Sequence, residues 1–238
     1  MNALLLLLLD SRAPAGAHHH SGGMEAAVGT GLVTGLAGLE DFCLTKLRTS
    51  ARIGAAFAAA SARLQSEWAE RSVVLEQAQH QWATLDAEFE ARTPSEAMRT
   101  ASRQLGGGLL RLVRSVLPEA DLVTPLRRCP GPAPHQPLVL GAAVSLAGGT
   151  PALAARAAAL AACTGPASAA VRLLGLDPFA VQGLLARLAP EVDACAAACS
   201  AAPCSVATVP SALPADAAPA LDLLADFHLT AEVRLFAS

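Results

Sequence analysis

The chain has 238 residues, enough to bury a sizeable hydrophobic core in one large domain or two small ones. Hydrophobic residues make up 53% of it and charged residues only 16%, so we expect part of its apolar surface to be buried against partners. The net charge of −3 and the lack of any run of more than two basic residues argue against nucleic acid as a partner.

The N-terminal sequence MNALLLLLLD is apolar but differs from a secretory signal peptide. Its apolar run covers only Ala3 to Leu9, no basic residue precedes it, and Asp10 follows without a typical cleavage site. Pro151 and Arg156 interrupt the Ala-rich C-terminal half, which leaves no uninterrupted apolar stretch long enough for a membrane span. We therefore expect a cytoplasmic protein, outside the membrane, whose six cysteines are reduced.

Residues 10–31 read DSRAPAGAHHHSGGMEAAVGTG and contain three consecutive histidines. An affinity tag normally has more histidines at a chain end, so this run is interpreted as native sequence. Adjacent histidines in an extended loop point in alternating directions, which makes His18 and His20 only weak candidate metal ligands. His20 and Ser21 are neighbours in sequence and no G-x-S-x-G motif occurs, so a catalytic serine is not predicted.

The same segment has the features of a shaped loop that leads into a helix. Gly22 and Gly23 allow a tight backbone path, and Ser21 is a natural N-cap for a helix that begins near Met24. Glu25 in the first turn suits the positive end of the helix dipole. The residues alone thus predict a shaped loop in a soluble all-α protein that binds partners.

Helix signals dominate the rest of the chain, and strand signals are sparse. Thr93-Pro94-Ser95-Glu96 predicts a capping box with Thr93 as N-cap, and two further segments, Thr150-Pro151 and Asp177-Pro178, repeat the cap-then-proline start. A seven-residue spacing of apolar residues predicts one helix of about seven turns with a buried stripe. The stripe consists of Leu64, Trp68, Leu75, Ala78, Trp82, Leu85 and Phe89.

Residues 1–238 are predicted to form a single all-α domain, a helical bundle of roughly eight to ten helices. Residues 129–155 carry no Asp, Glu, Lys or Arg, and we interpret this uncharged segment as a long connection inside the domain. Flexible Pro-rich connections are expected near 129–137 and 203–219, and a short helix around Ala220 to Thr230 follows the second. A hinge between two helical subdomains at the first connection is the alternative.

No enzyme or resident cofactor is predicted from the motifs. The glycines near residue 30 have no strand before them, and no G-K-[ST] occurs, so nucleotide binding is not indicated. Cys195 and Cys199 stand four apart on a predicted helix, with Cys204 nearby, and could form half of a zinc site. No second Cys/His pair stands at a matching spacing, so these cysteines are more simply small apolar residues.

Several segments along the whole chain resemble the urease accessory protein UreF family. LLLLDSRAPAGAHHHSGGMEAAV is similar to that family's pattern L-x-D-S-x-x-P-x-G-x-[FY]-x-H-S-x-G-[LM]-E. The resemblance continues in EAMRTASRQLGGGLLRL, HQPLVLGAAV, AAVRLLGLDPFAVQGLLARLAP and the tail FHLTAEVRLFAS. The residues that match are Asp10, Ser11, Pro14, Gly16, His20, Ser21, Gly23, Glu25, Arg99, Ser102, Gly106 to Gly108, His135, Gly141, Arg172, Gln182, His228, Arg234, Leu235, Phe236 and Ser238.

Two segments depart from the family pattern. His18 replaces the usual aromatic two residues before the His-Ser pair, and GLDPFAVQ replaces a run that normally contains two glutamines, of which Gln182 is kept.

The resemblance implies a non-enzymatic protein that dimerises and binds the accessory protein UreD, also called UreH. It further implies recruitment of the GTPase UreG and nickel delivery to apo-urease, with nickel handled by the assembled complex. We expect the partner-binding residues to be His20, Ser21, Gly23, Glu25, Arg234, Leu235 and Phe236. The alternative is a free-standing nickel metallochaperone that uses His18 to His20.

Overall fold

In a computed structural model, the described part of the chain folds into ten α-helices and contains no strand, which confirms the predicted all-α class. The structure describes residues 2–10, 13–15, 19–70, 74–118, 133–201, 212–229 and 235–236. The helices are α1 (Ala3–Leu9), α2 (Met24–Gly29), α3 (Leu36–Arg48), α4 (Ser50–Ala69), α5 (Leu75–Ala91), α6 (Glu96–Val116), α7 (Gln136–Leu146), α8 (Pro151–Leu174), α9 (Pro178–Ser200) and α10 (Pro219–Leu229).

Helix α4 lies at the centre of the fold because its surface is built from small residues. The run from Ala55 to Ala60 is almost completely buried, and α7, α8 and α9 all pack against α4. Gly141 of α7 lies so close to α4 that an added Cβ would come within 2.0 Å of the Ala58 carbonyl oxygen. The Ser61 hydroxyl donates to the Leu138 carbonyl across the same contact. Helices from both halves of the chain therefore share one core.

The uncharged segment contains a core helix and the start of α8, so its interpretation as a long connection is wrong for residues 136–146 and 151–155. Residues 137–144 of α7 are all buried between α4, α6 and α8. Charge is absent there because a charged side chain would be buried without a partner. Residues 133–135 form an extended lead into α7, residues 129–132 lie outside the described residues, and in the second predicted connection only residues 212–219 are described.

The predicted seven-turn helix is two helices that pack against each other. Helix α4 ends at Ala69 and α5 begins at Leu75, while residues 71–73 lie outside the described residues. Val74, the N-cap of α5, has an extended backbone with φ −83° and ψ 158°, so the helical conformation does not continue through it. The stripe itself is buried at Leu64, Ala78, Trp82, Leu85 and Phe89, and half-buried at the two positions nearest the break, Trp68 and Leu75.

Two of the three predicted helix starts are confirmed. The Thr150 hydroxyl accepts from the Leu153 N–H, and the Asp177 carboxylate accepts from the Phe179 and Ala180 N–H groups. The third prediction is wrong by two residues, because Ser95 caps α6 by accepting from the Met98 N–H at 3.2 Å. The Thr93 hydroxyl instead donates to the Phe89 carbonyl at the end of α5.

The apolar N-terminus and the longest apolar helix both belong to the core. Leu5 and Leu8 of α1 are buried, and the Asn2 side-chain amide donates to the Ala147 carbonyl just after α7. Helix α8 is long and apolar enough to cross a membrane by length and composition alone. It packs against α2, α3, α4, α7 and α9, and 33% of its most apolar window is buried.

Candidate functional site

The histidine loop, residues 19–23, makes a sharp turn into α2. His19 is exposed, His20 is half-buried and Ser21 is fully buried. Gly22 and Gly23 have positive φ values of 62° and 91°. An added Cβ on Gly22 would also lie 3.2 Å from Cγ of Pro166 in α8, so both the backbone and the available space favour glycine.

The predicted N-cap of α2 needs a correction. Gly23 occupies the cap position in the left-handed conformation, two residues after Ser21. The Ser21 hydroxyl still accepts from the Glu25 N–H at 3.2 Å, because the glycine turn folds the serine back over the first helical turn. Ser21 therefore satisfies a backbone donor of α2 from outside the cap position.

Lys46 of α3 is hydrogen-bonded to the histidine loop, although no sequence motif indicated this contact. Its ammonium group donates to the Gly22 carbonyl at 2.9 Å and lies 5.7 Å from the centre of the Phe42 ring. The side chain is only 6% exposed, and this burial lowers its pKa. It is the one lysine of the chain, which is the only signal in the sequence that could have marked it.

Glu25 joins the histidine loop to the C-terminal tail. Its carboxylate oxygens accept from the Leu235 N–H at 2.7 Å and from the Phe236 N–H at 3.0 Å. The fold thus brings together two segments that lie 210 residues apart and that were both predicted to bind partners. Such charge-assisted hydrogen bonds are the stronger class.

The two described tail residues differ in their surroundings. Phe236 is 6% exposed and packs in this chain's own core, with the Arg172 guanidinium 4.5 Å from its ring centre. Leu235 is 70% exposed. Within residues 235–236, Leu235 is thus the accessible side chain and Phe236 is the anchor of the tail. The predicted site residues His18 and Arg234, and the matching residues Ser11, Gly16 and Ser238, lie outside the described residues.

A network of charged groups fixes the segment before α7 onto α5 and α6. The Glu90 carboxylate is bonded to Arg103 at 2.6 Å, to Arg99 at 3.0 Å and to His135 Nε2 at 2.7 Å. Arg103 also donates to Asp86 at 3.0 Å, and the Asp86 carboxylate accepts from the His135 N–H. Of the residues that carry the resemblance, Arg99 and His135 are therefore held together by a glutamate that no motif contained.

The pKa values in this network follow from burial and charge. Burial alone would raise the pKa of Glu90, but the hydrogen bonds from Arg103 and His135 outweigh it and lower the pKa. Burial lowers the pKa of His135 against the opposing effect of Asp86 and Glu90, so its ring is neutral near pH 7. Its Nδ1 atom has no hydrogen-bond partner among the described residues.

The glycines of α6 explain why the polar network can form. A Cβ on Gly106 would lie 1.9 Å from the Pro134 carbonyl oxygen, and one on Gly108 would lie 2.3 Å from that of Ala15. Only glycine lets the backbone of these segments approach the helix so closely. Ser102, one turn before Gly106, accepts from the Gln136 N–H at 3.3 Å. The glycine-rich motif therefore serves packing in this structure.

The cysteine cluster shows the packing expected of small apolar residues. Cys195 and Cys199 of α9 are buried, and the Cys199 thiol donates to the Arg52 carbonyl at 3.3 Å. Cys204 lies outside the described residues. Within the part of the chain that the structure describes, no group of three His, Cys, Asp or Glu side chains is placed to hold a metal ion.

Comparison with known proteins identifies the family. The UreF family model matches residues 33–189. The chain is 41% identical to a urease accessory protein UreF of Mycobacterium sp. (strain JLS), over 98% of this chain and 97% of that protein. It is 39% identical to the UreF of Mycobacterium marinum, over 99% and 98% of the two chains, and 42% identical to that of Mycobacterium tuberculosis, over 75% and 76%. This chain therefore belongs to the UreF family of urease accessory proteins.

Proposed function

We propose that this chain is a protein–protein adaptor in urease maturation. In this proposal it binds UreD/UreH, dimerises within the complex and recruits the GTPase UreG, which couples GTP hydrolysis to nickel delivery into apo-urease. The family is named for an accessory role, and the chain itself catalyses no reaction in the proposal. Nickel is handled by the assembled complex in the cytoplasm, without nucleic acid, a membrane or a stably bound cofactor.

The hydrogen bonds from the tail to Glu25 are the observation that most supports this proposal. They hold the exposed side chain of Leu235 beside the first turn of α2, which directly follows the histidine loop. Phe236 gives the tail a fixed base in the core. An exposed apolar residue on a rigid base, next to a structured loop, is suited to bury surface against a partner protein.

The tail can be tested with variants that separate binding from stability. Arg234→Ala and Leu235→Ser are each compared with Val74→Ser, which removes another exposed apolar side chain, one that is 69% exposed and precedes α5. We expect all three variants to keep the thermal midpoint of unfolding. Only the two tail variants should lose assembly with UreD and UreG. If the tail variants unfold several degrees earlier but assemble normally, the tail is structural and the proposed interface is wrong.

A nickel metallochaperone that uses His18 to His20 is the second candidate. His19 is exposed and His20 half-buried, so at least one imidazole of this run is accessible to an ion. Equilibrium dialysis of the isolated chain against nickel separates the two functions. Tight stoichiometric binding that is lost when the three histidines are replaced would favour the metallochaperone over the adaptor.

A further inference from the structure

Lys46 carries a buried amino group without a carboxylate partner among the described residues, and this burial lowers its pKa. Its ammonium group can donate three hydrogen bonds but donates only one to a described residue, the bond to the Gly22 carbonyl. No ion pair joins Lys46 to an Asp or Glu of the described chain, and the nearby thiols of Cys43 and Cys163 act against the lowering of its pKa by burial. Burying an ammonium group without a carboxylate partner is costly, so a bound anion would stabilise the protonated form of Lys46.

A cavity of about 260 Å³ has Lys46 in its wall. The histidine loop and residues of α3, α4, α5, α6, α7, α8 and α10 form the wall. Most of the wall is apolar, as in Phe42, Ala101, Ala162, Pro166 and Leu224.

We propose that this cavity binds a monocarboxylate that carries a short alkyl chain, with the Lys46 ammonium group as its counter-ion. The carboxylate would accept from the Lys46 donors that have no acceptor among the described residues, and the alkyl chain would pack against the apolar wall. A cavity of 260 Å³ corresponds to about nine water molecules, which suits a chain of roughly eight carbon atoms. This site does not depend on the proposed assembly with other accessory proteins.

The few charged groups in the wall of the cavity favour a ligand with a single negative charge. No arginine is among the described residues that line the cavity. His20 also lines it, but burial lowers the pKa of His20, so its ring is neutral near pH 7. A dicarboxylate or a phosphate dianion would bring a second negative charge into the apolar cavity without a partner. Such ligands should therefore bind more weakly than a monocarboxylate.

The test compares octanoate with octan-1-ol, which has the same chain length but no charge. In isothermal titration calorimetry at pH 7, we expect octanoate to bind one site per chain and octan-1-ol to bind at least tenfold more weakly. Lys46→Met should bind octanoate at least tenfold more weakly than the unsubstituted chain does. Equal affinity for the two ligands, or no binding of octanoate, would overturn the proposal.

Two further measurements keep the test decisive if Lys46→Met does not fold. Because Lys46 is the only lysine, ¹³C-labelling of lysine gives a single side-chain Cε signal. Octanoate should shift this signal and raise the pKa that it reports, while octan-1-ol should not raise it; a signal insensitive to octanoate would refute the site. Ala101→Leu, which fills the cavity but keeps Lys46, should abolish octanoate binding, whereas the exposed neighbour Thr100→Leu should preserve it.

Discussion

Replacing Glu25 by alanine should release the C-terminal tail while the rest of the fold stays intact. The substitution removes both hydrogen bonds from the tail, at 2.7 Å and 3.0 Å. Because Glu25 is only half-buried and solvent screens its charge, each bond is expected to contribute about 1 kcal/mol, as an ordinary hydrogen bond does. A loss of about 2 kcal/mol raises the open fraction of the tail roughly 30-fold, since 1.4 kcal/mol is a factor of ten.

Trypsin reports this opening directly, because the N–H of Leu235 belongs to the peptide bond after Arg234 that trypsin cleaves. The rate of release of the peptide Leu-Phe-Ala-Ser, measured by mass spectrometry, should follow the open fraction when opening and closing are fast. Glu25→Ala should increase this rate about 30-fold, and the matched control Glu76→Ala, in the first turn of α5, should not change it. An unchanged rate in Glu25→Ala would refute the role assigned to this carboxylate.

Three further predictions concern the stability of the fold. Trp82→Ala should lower the free energy of unfolding in urea by about 3–5 kcal/mol, because Trp82 is buried; a cost no larger than that of Trp68→Ala, at a half-buried position, would contradict its core role. Ser21→Ala should lower the free energy of unfolding by about 1 kcal/mol, because the Glu25 N–H loses its acceptor. A hydrolase activity of the pure protein that disappears in Ser21→Ala would contradict the accessory role. The lowered pKa values of His135 and Glu90 mean that the unfolded chain binds more protons, so stability should fall as the pH drops below 6.5 and again below 4.5. A thermal midpoint that stays constant from pH 7 to 5, or that falls equally in His135→Gln, would contradict the part played by His135.

Local sequence signals predicted the presence of the helices better than the residues at which they begin and end. The caps at Thr150 and Asp177 depend only on the residues that follow them, and the structure confirms both. The cap of α6 depends on a distant residue, because Asp226 of α10 accepts from the Ser95 hydroxyl and from the Ala97 N–H. The seven-residue spacing of the apolar stripe could not reveal the break between α4 and α5, because the spacing is the same whether the stripe lies on one helix or on two.

The candidate site depends on local turns and on contacts between distant segments, and only the local turns could be predicted from the sequence. The turn into α2 was expected from Gly22, Gly23 and Ser21. The contact of Glu25 with the tail could not be derived, because no spacing relates residues 210 positions apart. The role of Lys46 could not be predicted either, because it depends on the burial of this side chain against the histidine loop.

Co-expression with UreD and UreG, followed by affinity purification of this chain and size-exclusion chromatography, tests the adaptor function most directly. We expect the three proteins to elute together with two copies of this chain, and UreG to be missing when this chain is omitted. The adaptor function would be contradicted if UreD and UreG associate equally well without this chain, or if this chain elutes alone.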